Sequence, residues 1–222
     1  MPETDAIPKL RYAITDRTRF SGDEQERQAE LVRHTAQWTA DGIDFIQLRE
    51  KDLEAGALAD LGRRMLATLR THDTAPKLLI NSRADVAVAI GADGVHLTAQ
   101  PGSLTAGQVR SLYAAAGLPE PIVSVSCHTL DEVAEARNAG ATLILFGPVF
   151  EKRIGDQLIS AGTGLDLLHA ACTAAAPIPV LALGGIAAEN TASALAAGAA
   201  GIAAIRLFAT TETANIMERD PC

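Results

Sequence analysis

The sequence predicts a single-domain (β/α)8 TIM barrel, running from about residue 10 to 208 of the 222-residue chain with short polar tails at both ends. Three observations predict it. Eight short apolar runs rich in β-branched residues recur along the chain, near-continuous rather than alternating, as strands covered on both faces are. Between them lie segments with apolar residues at i, i+3 and i+4, the spacing of one helix face packed on a sheet. Variants of Ala-Gly-Ala precede three of the runs (Ile90-Gly91-Ala92, Ala139-Gly140-Ala141, Ala197-Gly198-Ala199), the echo of one repeated αβ unit.

Taken in order, Arg11–Thr15 is the first strand and Glu24–Ala40 the first helix, closed by Asp41-Gly42. Phe45–Arg49 is the second strand, followed by a helix at Ala55–Thr71, and Lys77–Asn81 is the third. Gly91 leads into the fourth at Gly94–Leu97, and a helix follows at Thr105–Ala116. Ile122–Ser126 is the fifth strand, Leu130–Ala139 a helix ended by Gly140, and Leu143–Gly147 the sixth strand. Val180–Leu183, a helix at Thr191–Ala197 ended by Gly198, and Gly201–Ile205 complete the set. A glycine at these ends supplies the left-handed cap that lets an αβ loop turn tightly. An open doubly wound sheet wants fewer strands and a Gly-rich fingerprint after the first one; the sequence has neither.

Composition narrows the partners. Lys and Arg number 19 against 27 Asp and Glu, a net charge of -8, which argues against nucleic acid and against anionic membrane. Aromatics at 4% leave no stacking platform for single strands. Cys127, Cys172 and Cys222 form no CxxC pair, so no metal site or disulfide framework is expected, and Cys127 reads as a buried small hydrophobe. Met1 to Pro8 lacks the pattern of a signal peptide, and no apolar stretch is long enough to span a bilayer, so the expected location is cytoplasmic. Ala-rich helices are compatible with a homo-oligomer but pack equally well within one barrel, leaving assembly open.

Barrel enzymes carry their chemistry at the C-terminal ends of the strands. There stand Gln47, Arg49 and Lys51 (second strand), Asn81 (third), Ser126 and His128 (fifth), Gly147 (sixth), Gly184 and Gly185 (seventh), and Ile205 and Arg206 (eighth). Gln47, Arg49 and Lys51 share parity and are expected to point together into the mouth, as ligand contacts or as a solvated rim. Gly184-Gly185 either forms a phosphate cradle with a helix start after the last strand, or is simply a tight turn. His128 is either an acid–base group, since neutral imidazole exchanges protons near neutral pH, or a side chain spent on a helix cap or backbone carbonyl. His96, inside the fourth strand, reads as packed and satisfied. His34, His72 and His169 read as surface residues, Glu50 as an acid or base or, by its opposite parity to Arg49, half of a structural ion pair, and Asp131 and Glu132 as helix-end charges.

These strand ends carry a resemblance. QLREK (Gln47–Lys51), LLINSRADVA (Leu78–Ala87), ADGVHL (Ala92–Leu97), SVSCHTLDE (Ser124–Glu132), FGPVF (Phe146–Phe150), GTGLDLL (Gly162–Leu168) and LGGI (Leu183–Ile186) are similar, in order and spacing, to the thiamine phosphate synthase / TenI superfamily. The resemblance implies a small thiazole or thiamine phosphate ligand and one of two reactions. The synthase joins a pyrimidine-methyl pyrophosphate to a thiazole phosphate with Mg²⁺. The TenI-type tautomerase aromatises a thiazole carboxylate phosphate by proton transfer and needs no cofactor.

The synthase pattern implies an Asp after the third-strand Asn, another after GQ-x, and a T-x-T-K loop. Here stand Ser82, Pro101 and Glu151-Lys152-Arg153-Ile154-Gly155. Neither Ser nor Pro offers Mg²⁺ a carboxylate. The stretch Ser126–Glu132 resembles the tautomerase's catalytic histidine segment, which implies that role for His128. Arg206 replaces the small residue expected beside the phosphate, and either adds a charge-assisted contact to it or points out of the site. The expected function is therefore a tautomerase, with Gly184, Gly185 and the eighth strand end on the phosphate and Arg49 and Lys51 on the carboxylate. The alternatives are the Mg²⁺-dependent synthase and a non-catalytic phosphate-binding barrel.

Overall fold

The computed structural model describes residues 9–71, 74–100, 102–154 and 157–209; of 152–154 and 157–159 it describes the backbone path only. His72, Pro101, Gly155, Cys222 and the segment Met1 to Pro8 lie outside the described residues. Eight parallel strands close a barrel: β1 (Leu10–Ile14), β2 (Phe45–Leu48), β3 (Lys77–Asn81), β4 (Gly94–Thr98), β5 (Ile122–Cys127), β6 (Leu143–Phe146), β9 (Val180–Leu183) and β10 (Gly201–Ala204), each beside the next in that order. β10 returns to β1 through the register Leu10 with Gly201 to Ala13 with Ala204. The barrel is the TIM-type fold that the sequence predicts.

Seven α-helices are described: α1 (Glu24–Ala40), α2 (Ala55–Leu69), α3 (Ala84–Ile90), α4 (Ala106–Ala115), α5 (Leu130–Asn138), α6 (Leu165–Ala175) and α7 (Ala188–Ala196). Their starts are set by side-chain caps. Asp23, Thr105 and Thr129 each accept the backbone N–H three residues on, and Glu26, Gln108 and Glu132 reach back, satisfying amides that a helix start leaves unpaired. Gly42, Gly91, Gly140 and Gly198 all have positive φ, between 64° and 101°, as their place before strands requires.

Two helices escaped the sequence reading. α3 spans only seven residues, too short to show a 3.6-residue period, and α6 (LDLLHAACTAA) is so rich in Ala and Leu that its buried stripe has little polar contrast. β7 (Lys152–Ile154) and β8 (Gln157–Ser160), an antiparallel hairpin in the loop after β6, were also not anticipated. After β10 the residues to Ala209 form a turn, closed by the Ala209 N–H on the Arg206 carbonyl, so the expected helix start is not found among the described residues.

Strand alternation divides the apolar side chains into two cores. Outward residues such as Ile46, Leu48, Leu78 and Ile80 pack under Leu31, Trp38, Leu58, Leu61 and Met65 of the helices. Each such side chain contributes about 1.5–3 kcal/mol on burial. Inward residues Tyr12, Ile14, Leu79, Leu143, Leu145, Leu181 and Ala203 fill the barrel floor. Cys127 is wholly buried in the outer core, as expected, and desolvation pushes its thiol up to about 12. No helix among the described residues is long and apolar enough to cross a membrane.

Candidate active site

Above the apolar floor the inward positions turn polar. Asn81 pairs in register with His96, His96 with Ser124, and Thr98 with Ser126, which brings these side chains to the C-terminal half of the barrel interior. Gln47, 1% exposed, donates its Nε2–H to Asn81 Oδ1 at 2.8 Å. Its Oε1 is buried with no hydrogen-bond partner. A buried orphan acceptor costs about 1–3 kcal/mol, so it marks a place where a ligand donor fits.

His96 is packed and satisfied, as the sequence suggests. Its Nδ1 lies 2.8 Å from Ser124 Oγ and its Nε2 2.8 Å from Ser126 Oγ, while Ser124 Oγ is 3.1 Å from the Tyr12 hydroxyl. Burial, reinforced by the nearby Arg49 charge, brings its pKa down to about 3. Ser124 stands with Ser126 among the fifth-strand-end residues that the sequence brings forward, whereas Tyr12 is not among them. Ser124 was legible from its parity with Ser126, whereas Tyr12 sits in an apolar run and gave no signal.

The loop after β2 is held from below. Thr15 donates its hydroxyl to Glu50 Oε1 at 2.5 Å and accepts the Arg49 N–H at 2.9 Å. Arg17, itself buried, forms ion pairs with Glu50 at 3.0 Å, Asp52 at 2.6 Å and Glu24 at 2.8 Å. Glu50 is thus the structural partner expected. Gln47 reaches Asn81 and the Arg49 charge acts on His96, so these two bear on the barrel interior, whereas Lys51 stands apart from them. β2 ends at Leu48, so strand alternation no longer sets direction beyond it. Gln47 lies inside the barrel, whereas Lys51 is exposed and lines a cleft of about 340 Å³ with Glu50, Leu53, Asn81, Ser82 and Arg83.

His128 stands exposed just past β5, its Nδ1 hydrogen-bonded to the Gly147 carbonyl. A carbonyl only accepts, so Nδ1 carries a proton, and in the neutral ring Nε2 keeps the lone pair. The backbone bond read as the alternative to catalysis therefore leaves a basic nitrogen in place. Gly147 is glycine for a packing reason: a Cβ there would lie 1.9 Å from the Leu183 carbonyl.

Gly184 and Gly185 have φ of +89° and +66°. A Cβ on Gly184 would meet Pro148, and one on Gly185 would meet the Phe150 and Glu151 carbonyls at 2.6 and 2.7 Å. The strap Pro148–Glu151 is laced to them, with Val149 N–H on Leu183 O and Phe150 N–H on Gly184 O. The glycine pair therefore has a structural role beyond a tight turn. Ile205 packs on the inner core, and Arg206 is exposed.

Among the described residues no three His, Cys, Asp or Glu side chains group closely enough to hold a metal ion. Ser82 stands in the left-handed region at φ 56°, with its N–H on the His96 carbonyl at 2.8 Å.

The family model for thiamine monophosphate synthase matches residues 11–208, the whole barrel. The chain belongs to the thiamine monophosphate synthase family. A Geobacter sulfurreducens relative bearing the provisional name of a thiamine-phosphate synthase is 41% identical, over 87% of this chain and 84% of its own. A thiamine-phosphate synthase of Methanoregula boonei is 37% identical over 87% and 82%. The solved thiamine phosphate pyrophosphorylase of Pyrococcus furiosus superposes with a TM-score of 0.71 at 28% identity, covering 94% of this chain and 91% of that one. Family membership makes this a protein of thiamine biosynthesis. The relatives' names back the transferase alternative, and they lend no support to the tautomerase preferred from the sequence.

Proposed function

We propose that this family member acts on a thiazole phosphate by metal-independent proton transfer, as a tautomerase. One observation carries the reading: Ser82 and Pro101 occupy the places where the resemblance expects Mg²⁺ carboxylates, and no other acidic cluster replaces them among the described residues. Without the cation, displacement of pyrophosphate loses its main charge stabilisation, whereas aromatisation of a thiazole tautomer needs only an acid–base group.

His128 supplies that group. Its Nδ1–H on Gly147 fixes the ring, and its Nε2 removes a proton from the non-aromatic ring and returns it at another position, so no atom is gained or lost. In this reading the strand ends at Gly184-Gly185 and Ile205-Arg206 face the phosphate, and Arg49, whose charge acts on His96, supplies the cation for the carboxylate, while Lys51 lies exposed in the cleft beside Asn81. No cofactor is required.

A second reading, the Mg²⁺-dependent synthase, is favoured by the names of the relatives at 37–41% identity. The two separate on one assay of the thiazole tautomer with and without EDTA. Turnover unchanged by EDTA is the expected result. No turnover under either condition overturns the tautomerase.

A further inference from the structure

A chain of hydrogen bonds runs up the barrel interior from Tyr12 to Ser124, His96 and Ser126. Heavy-atom distances leave its direction open, but counting protons closes it. Tyr12 and Ser124 are fully buried, so an unmatched hydroxyl proton on either costs about 1–3 kcal/mol.

With the imidazole neutral, three orderings exist. If Ser126 donates to Nε2 and the chain runs downward, Nδ1–H donates to Ser124, Ser124 donates to Tyr12, and the Tyr12 proton is left buried and unmatched. If Tyr12 and Nδ1–H both donate to Ser124, the Ser124 proton is the one left over. In the third, Tyr12 donates to Ser124, Ser124 donates to Nδ1, and Nε2–H donates to Ser126. Every buried proton is then matched, and the one left over belongs to Ser126, half-buried beneath the barrel mouth, where a ligand can take it.

We propose that Tyr12 and His96 are positioning residues that fix Ser126 as a hydrogen-bond donor toward the mouth, selecting a ligand that offers an acceptor oxygen there. A phosphate or carboxylate oxygen has that chemistry, and the Arg49 charge felt at His96 adds to it. The polarity holds whichever reaction the site performs. Only the binding test rests on the thiazole phosphate reading.

The test is the tautomer of His96, read from long-range ¹H–¹⁵N correlations of the uniformly labelled full chain at pH 7 and assigned by its loss in His96→Gln. The Nε2–H tautomer is expected; the Nδ1–H tautomer or an imidazolium overturns the proposal. Binding of thiazole phosphate supplies a second readout. Ser126→Ala and His96→Leu are expected to weaken it about tenfold, roughly one lost hydrogen bond. His96→Gln, whose amide N–H reaches the Nε2 position, is expected to stay within about threefold. His96→Leu binding as tightly as the parent contradicts the positioning role. A variant that fails to fold leaves the tautomer measurement to decide.

Discussion

Arg17 and Glu50 meet at 3.0 Å with side chains 4% and 2% exposed, and through Thr15 this pair fixes the backbone of Arg49 at the barrel mouth. Removing the cation strands a buried carboxylate. Arg17→Met is expected to cost about 3–5 kcal/mol in urea unfolding. Asp52→Asn, at a partner 65% exposed, is expected to cost less than about 1 kcal/mol.

His96 couples stability to pH. Its folded pKa lies near 3, so below about 6.5 the unfolded chain binds a proton that the folded chain refuses. Stability is therefore lost as pH falls from about 6.5 toward 3. Between pH 7 and 5 the loss is expected to be about 2 kcal/mol. His96→Gln should remove that share, measured as the difference between parent and variant in urea unfolding at pH 7 and pH 5.

His128 is exposed, so replacing it should spare the fold. His128→Ala is expected to lower kcat on the thiazole tautomer by about 10²–10⁴-fold while unfolding at nearly the same temperature as the parent. Full turnover by the variant removes His128 from the chemistry.

Gly185 tests the strap. A methyl group there must clear carbonyls at 2.6 and 2.7 Å in a left-handed backbone. Gly185→Ala is expected to cost more than 1 kcal/mol, which lowers Tm by about 2–4 °C or more for a domain of this size.

The barrel was legible because the strands are apolar runs, four of them preceded by a glycine whose φ is positive, at Gly42, Gly91, Gly140 and Gly198. α3 and α6 were not, since one is too short and the other too uniformly apolar to show a period. Site residues on regular strands, Gln47, Asn81 and Ser126, lie where parity puts them. Lys51 does not, because alternation stops with the strand at Leu48. Arg17 and Thr15 organise the mouth through contacts over 30 residues away in sequence, which spacing along one chain does not reveal.

The most direct measurement is a synthase assay with pyrimidine pyrophosphate, thiazole phosphate and Mg²⁺, read as thiamine phosphate formed by folded protein that binds thiazole phosphate. With Ser82 and Pro101 in place of the metal carboxylates, no product above background is predicted. Thiamine phosphate formed at enzyme-like rates, and abolished by EDTA, would contradict metal-independent proton transfer as the function of this barrel.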